Sequence, residues 1–283
     1  MLLTKTELKL DPAQIQLIEK GWGKEITEGT EVFNITYEVD GLEVKGYLAY
    51  PKGAADDAKK YQLIIWNRGG NLKNGLIDEF LARGMYGEIA SWGYVVLASC
   101  YRMNEEFGGA DINDVMELLP IADELEYCDS SNIGMEGWSR GGMMTFKALT
   151  LTDRVKCAVI ISGLADLIRT EGMQNNLKEA FQKQFGHNNP HIFEERKQER
   201  SPINYADKVC KSVSVLLIHG KADTHVAAQD SVDMYNLLKE NGVNAVLRLI
   251  QGGDHYLTKQ KKETAALRKD WFDKFLKTDL NNK

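Results

Sequence analysis

The sequence predicts an α/β fold, a largely parallel sheet with helices on both faces. Two observations carry this. Short continuous apolar runs recur at 62–66, 94–99, 156–162 and 214–219, the pattern of strands buried on both faces. Segments of helical length and periodicity lie between most of them, so strand and helix alternate along the chain. In such sheets the ligand site lies beyond the carboxyl ends of the strands.

The 283 residues suffice for one large α/β domain or two small ones. Residues 1–30 read as a polar extension with one helix at 12–20, where Pro12 suits a first turn after Asp11 as cap. The strands 31–37 and 42–50 alternate in polarity around the turn dipeptide Asp40-Gly41, which predicts an antiparallel hairpin at the sheet edge. Strand 62–66 runs into the turn Asn67-Arg68-Gly69-Gly70-Asn71. A helix is expected at 78–92, closed by Gly93, followed by strand 94–99 and a helix over 111–127. Strand 132–136 leads into a helix from 141. Strands 156–162 and 214–219, helix 228–241, strand 245–250 and helix 258–277 complete the alternation.

One segment departs from it. About fifty residues separate the strand ending at Ser162 from the next, more than a simple connection needs. Residues 164–200 contain helical stretches and read as a small helical cap over the active-site edge. A long crossover without substrate contact is the other reading. The expected organisation is therefore an extension, 1–30, and one domain, 31–283, carrying the cap.

Composition excludes some function classes. The net charge of −6 argues against a general nucleic-acid or anionic-membrane binder. No stretch approaches the roughly 18 apolar residues of a membrane span. The N-terminus has no apolar core followed by a small-residue cleavage site, so no signal peptide is expected. Cys100, Cys128, Cys157 and Cys210 form no C-x-x-C pair, which suits free thiols in a reducing cytoplasm.

The chemistry centres on Gly137-Trp138-Ser139-Arg140-Gly141, set between a strand and a helix. By itself this pentapeptide also suits an ordinary turn with a capping serine. Its partners decide. A serine hydroxyl needs a histidine to take its proton and a carboxylate to orient that histidine. Asp223 follows the strand 214–219, and His255 follows the strand 245–250, in the order serine, acid, histidine. This is the nucleophile elbow and triad order of the α/β-hydrolase fold.

The other candidates are weaker. Asp166 follows a strand and is the reserve acid. His187 and His191 precede the acid and flank Pro190; His219 ends a buried strand and suits the core. Asp254 is too close to His255 to orient it. No His/Cys/Asp cluster has metal spacing, so no metal is expected. For an oxyanion, the backbone N–H of Arg140 is one expected donor, and Gly69 or Gly70 supplies the other. Arg68, Arg102 and Arg140 are candidates to hold a substrate carboxylate, although each also suits a structural salt bridge. His225 is a candidate pocket residue.

The pieces Asn67-Arg68-Gly69-Gly70-Asn71, Cys100-Tyr101-Arg102, Gly137-Trp138-Ser139-Arg140-Gly141-Gly142, Arg200-Ser201-Pro202-Ile203-Asn204-Tyr205, His219-Gly220-Lys221-Ala222-Asp223 and Gly252-Gly253-Asp254-His255 occur in one order. Together they resemble the catalytic domain of the prolyl oligopeptidase family. The resemblance implies Ser139 as nucleophile, Asp223 as orienting acid and His255 as base. The peptidases of that family carry a β-propeller. Some thirty residues precede the first expected strand here, fewer than one blade of about 40. No propeller is therefore expected. Several of those peptidases also use a tyrosine hydroxyl in the oxyanion hole, and the stretch 66–71 has no tyrosine.

These readings lead to a serine hydrolase acting through an acyl-enzyme on Ser139, with a small carboxylic ester as the first expected substrate. Short peptides or aminoacyl amides are the alternative. A non-catalytic binding module of the same fold is a second, and acyl transfer to an acceptor other than water a third. No cofactor is implied, and the oligomeric state stays open.

Overall fold

The computed structural model describes residues 1–71, 74–173, 175–185 and 189–277. Among the described residues a nine-stranded sheet forms its centre. The first strands lie at one edge: β1 (Leu2–Glu7), β2 (Thr30–Val39) and β3 (Leu42–Pro51), paired antiparallel. Helices α1 (Pro12–Trp22) and α2 (Lys24–Gly29) intervene between β1 and β2. Asp11 and Gln14 cap α1 reciprocally, as the Asp11-Pro12 start suggests.

The N-terminal segment differs from expectation. Leu2–Glu7 is a strand of the main sheet, and only Leu2 in it is even partly buried. With both faces wet it carries no apolar alternation, so pairing to β2 alone defines it.

From β4 (Tyr61–Asn67) onward the fold is doubly wound. Helix α3 (Glu79–Ser91) starts on the Asp78 cap and leads to β5 (Val95–Ser99). The single helix expected over 111–127 is two, α4 (Ile112–Met116) and α5 (Leu118–Glu124). Pro120 explains the break. It has no N–H to donate, and its ring would meet the carbonyl of Met116, where α4 ends.

Then follow β6 (Cys128–Trp138), α6 (Arg140–Ala148) and β7 (Val155–Ile161). Among the described residues three helices, α7 (Leu167–Met173), α8 (Asn175–Gln184) and α9 (Pro190–Arg200), fill the segment expected to form a cap. Strand β8 (Ser214–Gly220), α10 (Ala228–Glu240), β9 (Asn244–Ile250) and α11 (Lys261–Leu276) close the chain. Across the sheet the order is β1-β2-β3-β5-β4-β6-β7-β8-β9, and β5, β4, β6, β7, β8 and β9 are all parallel. The predicted α/β-hydrolase architecture is therefore present, with apolar clusters on both faces of the sheet.

The cap segment is anchored at its start and packed at its middle. Buried Asp230 of α10 accepts the N–H groups of Ala165 and Asp166, each at 2.9 Å, and pairs with Arg169 of α7. Phe181 of α8 meets Phe107 edge-to-face at 5.1 Å and stacks on Phe185 at 5.3 Å. The cap thus rests on the loop that follows β5. The four cysteines are free. Among the described residues no helix is long and apolar enough to cross a membrane.

Candidate active site

Ser139 stands between β6 and α6 with φ 56° and ψ −121°, left-handed backbone that a serine rarely adopts. Its neighbours explain why the turn closes only on glycines. A Cβ on Gly137 would lie 2.1 Å from the carbonyl oxygen of Gly141. One on Gly141 would lie 1.9 Å from that of Asn67, and one on Gly142 2.8 Å from Gly163 Cα. Such contacts are impossible, so strand, turn and helix approach as closely as backbone allows. The Ser139 N–H donates to the Ile161 carbonyl at 2.9 Å, and the Ser139 carbonyl accepts from Leu164 N–H at 3.0 Å. The serine is therefore pinned to β7 and to the first residues of the cap segment.

Arg140 opens α6, so its backbone N–H has no acceptor within the helix. Gly69 lies against the serine: a Cβ there would stand 3.1 Å from Ser139 Cβ and 3.8 Å from Oγ. Gly70, with φ 70°, packs instead against Asn74 and Gly75. Of the two glycines named from sequence, Gly69 is the one beside Ser139.

The two arginines of this region do not reach for substrate. Arg68 and Arg140 are buried and share the carboxylate of buried Glu105, and Arg140 also pairs with Asp111. Arg68 Nη1 donates to the Gly69 carbonyl at 3.0 Å, and Arg140 Nη1 donates to that of Gly70 at 3.2 Å. Tyr101 lies under both guanidinium groups, 4.8 Å from each, and donates its hydroxyl to the Arg68 carbonyl. Phe107 stacks on Arg140 at 4.4 Å. The substrate-carboxylate reading of Arg68 is therefore corrected: both guanidinium groups brace the glycine loop beside Ser139. Arg102 is corrected likewise. It is bound bidentately by buried Asp114 and also by Asp40.

The second half of the site is built around Asp223, whose side chain is fully buried. Its Oδ2 accepts from His255 Nδ1 at 2.7 Å and from His219 Nε2 at 3.1 Å. Its Oδ1 accepts the N–H groups of His225 at 2.7 Å and Val226 at 3.0 Å. Burial alone would raise this carboxyl. The hydrogen bonds from His219 and His255, the charge of His255 and the Val226 N–H outweigh burial and hold it well below the usual carboxylate range.

His219 fits the core, as its sequence position suggests, and it also serves this carboxylate. Its Nε2 faces two acceptors, Asp223 Oδ2 and the Val226 carbonyl, so Nε2 carries the proton. In the neutral ring Nδ1 then accepts from the Ser231 hydroxyl at 2.7 Å. Ser231 and Trp138 escaped sequence reasoning, because neither residue type signals a role. The Trp138 indole donates to the His255 carbonyl at 3.1 Å and so ties the histidine loop to the elbow. Among the described residues no hydrogen bond joins Ser139 Oγ to His255. Such contacts are often long in unliganded sites.

The reserve candidates serve elsewhere. Asp166 caps α7 through Ile168 and Arg169 N–H, and Asp254 accepts from Thr258 N–H. His191 is exposed on α9, and His187 lies outside the described residues. His225 is exposed and stacks on His255, with centroids 4.9 Å apart and planes 27° apart.

Asp223, His225 and His255 bring three potential ligand atoms within 4.8 Å of one another. They do not suit a metal as arranged. Both oxygens of Asp223 are occupied by N–H donors, and nearly parallel rings aim their in-plane lone pairs side by side instead of at one point.

The profile of the prolyl oligopeptidase family matches residues 101–279. The chain belongs to this family. It is 28% identical over 231 residues to the uncharacterized peptidase YtmA of Bacillus subtilis, covering 79% of this chain and 86% of that protein. It is 25% identical over 265 residues to a second Bacillus subtilis protein, the uncharacterized peptidase YuxL. That match covers 84% of this chain but only 38% of YuxL. Among solved structures, the acylaminoacyl peptidase of Pyrococcus horikoshii superposes with a TM-score of 0.74 at 20% identity, over 95% of this chain and 44% of that one. An acylaminoacyl peptidase in complex with Z-Gly-Gly-Phe-chloromethyl ketone gives 0.75 at 22%, over 92% and 43%. The chain thus spans most of one relative and less than half of the others. At these identities the structural likenesses carry the fold alone.

Proposed function

We propose that this chain is a serine peptidase or amidase acting on short peptides or aminoacyl amides through an acyl-enzyme on Ser139. One observation carries the catalytic part: the Asp223–His255 hydrogen bond of 2.7 Å sits on a loop tied by Trp138 to a strained serine elbow. In this reading Asp223 orients His255. His255 takes the Ser139 proton as Oγ attacks the carbonyl carbon, then passes it to the departing amine. Water repeats the cycle and releases the acid. The N–H groups of Arg140 and Gly69 receive the negative oxygen.

The preference for amides over the simple esters expected from sequence rests on membership of the prolyl oligopeptidase family and on relatives named as peptidases. The test is labelling with a fluorophosphonate and location of the added mass, with Ser139→Ala as control. A panel of matched aminoacyl amides, short peptides and alkyl esters follows. A label on Ser139 with turnover of the peptides supports the reading. A label with turnover of esters alone returns the ester reading. Folded protein that takes no label at Ser139 sinks both, in favour of a binding module.

A further inference from the structure

We propose that His225 and Tyr256 form the wall of a leaving-group subsite, shaped for a flat aromatic group. The proposal deepens the hydrolase reading and rests on it. In that chemistry His255 hands its proton to the departing atom. Rings packed against His255 therefore stand close to where the leaving group departs.

Two rings pack against His255. His225 stacks on His255 at 4.9 Å, and Tyr256 meets His255 edge-to-face at 5.1 Å and 80°. Tyr256 also meets His225 at 5.9 Å and 64°, so the three rings form one continuous aromatic corner. Tyr256 is 58% exposed and so contributes little to the core. Its backbone is set by the turn that follows. The next residue, Leu257, is buried with φ 49°, and its N–H donates to the Asp254 carbonyl at 3.1 Å. The turn thus fixes the Tyr256 backbone, and the bond from His225 N–H to Asp223 Oδ1 fixes that of the facing ring. An exposed aromatic corner beside the proposed proton donor suits stacking by a planar group.

The experiment forms one acyl-enzyme from an activated ester and lets two amines compete with water for it, phenylalaninamide and glycinamide. In each case the amine nitrogen bonds to the acyl carbon, the Ser139 ester bond breaks, and the amine proton passes through His255 to Ser139 Oγ. The acyl group is common, so the ratio of the two products reads the leaving-group side alone. We expect wild type to favour the aromatic amine by roughly three- to tenfold beyond the solution reactivity ratio, the size of one aromatic contact. Tyr256→Ala should bring the ratio close to the solution value, His225→Ala should lower it partway, and Tyr256→Phe should keep it. A wild-type ratio equal to that in solution, or one unchanged in Tyr256→Ala, overturns the subsite. Failure of wild type to acylate at Ser139 overturns the hydrolase reading, and the subsite with it.

Discussion

The two halves of the candidate site are held by different physics. Beside Ser139, the glycine loop is braced by two buried guanidinium groups neutralised by Glu105 and Asp111. Around His255, one buried carboxylate gathers four N–H donors. The first half is a scaffold of charge pairs, in which removal of one partner strands another charge without water. The second is a hydrogen-bonded hub, in which removal of one donor leaves three. The serine half should therefore fail by unfolding and the histidine half by losing chemistry.

The largest test of that contrast removes the nucleophile without touching either brace. Ser139→Ala should lower turnover by about 10⁴-fold or more, with the urea midpoint of unfolding little changed. Asp223→Asn comes next. It should reduce kcat by roughly 10³- to 10⁴-fold, since the amide orients His255 poorly, with a smaller change in KM. Steady-state kinetics on one amide substrate reads both.

Glu105→Ala should act in the opposite sense, costing about 3–5 kcal/mol of stability because it leaves two buried guanidinium groups short of a carboxylate. His219→Ala should cost less, about 1–3 kcal/mol, the range for one buried hydrogen-bonded group. Urea unfolding of the pair ranks the two halves directly, and equal losses would break the contrast.

The smallest effect is in acid. Asp223 is held below its unfolded value of about 3.9. Its contribution is therefore fully present above that value and is lost as pH falls towards the folded one. Wild type should lose stability below about pH 4, and Asp223→Asn should lose less over the same range. Parallel melting curves for the two from pH 5 to 3 would remove Asp223 as the cause.

Most of the strand order along the chain was legible, because strands buried on both faces read as continuous apolar runs with helices between them. The elbow was legible too, since only glycines pack at 137, 141 and 142. The chain order of Ser139, Asp223 and His255 followed from the loops that carry them. Other features lay beyond the sequence. β1 owes its existence to an edge hydrogen-bond ladder rather than to a buried face. Arg68 and Arg102 suited either a substrate carboxylate or a salt bridge until the fold brought Glu105 and Asp114 to them, and charges that meet only in space leave no local pattern. His219 read as a core residue, and its service to Asp223 needed the turn that brings residue 223 back beneath its ring. Local periodicity and backbone sterics are written in neighbouring residues, so the sequence alone determined the framework and named the candidate reactive side chains. Long-range pairing of buried charges and rings is not, so the tertiary structure decided what holds those side chains in place and what borders them.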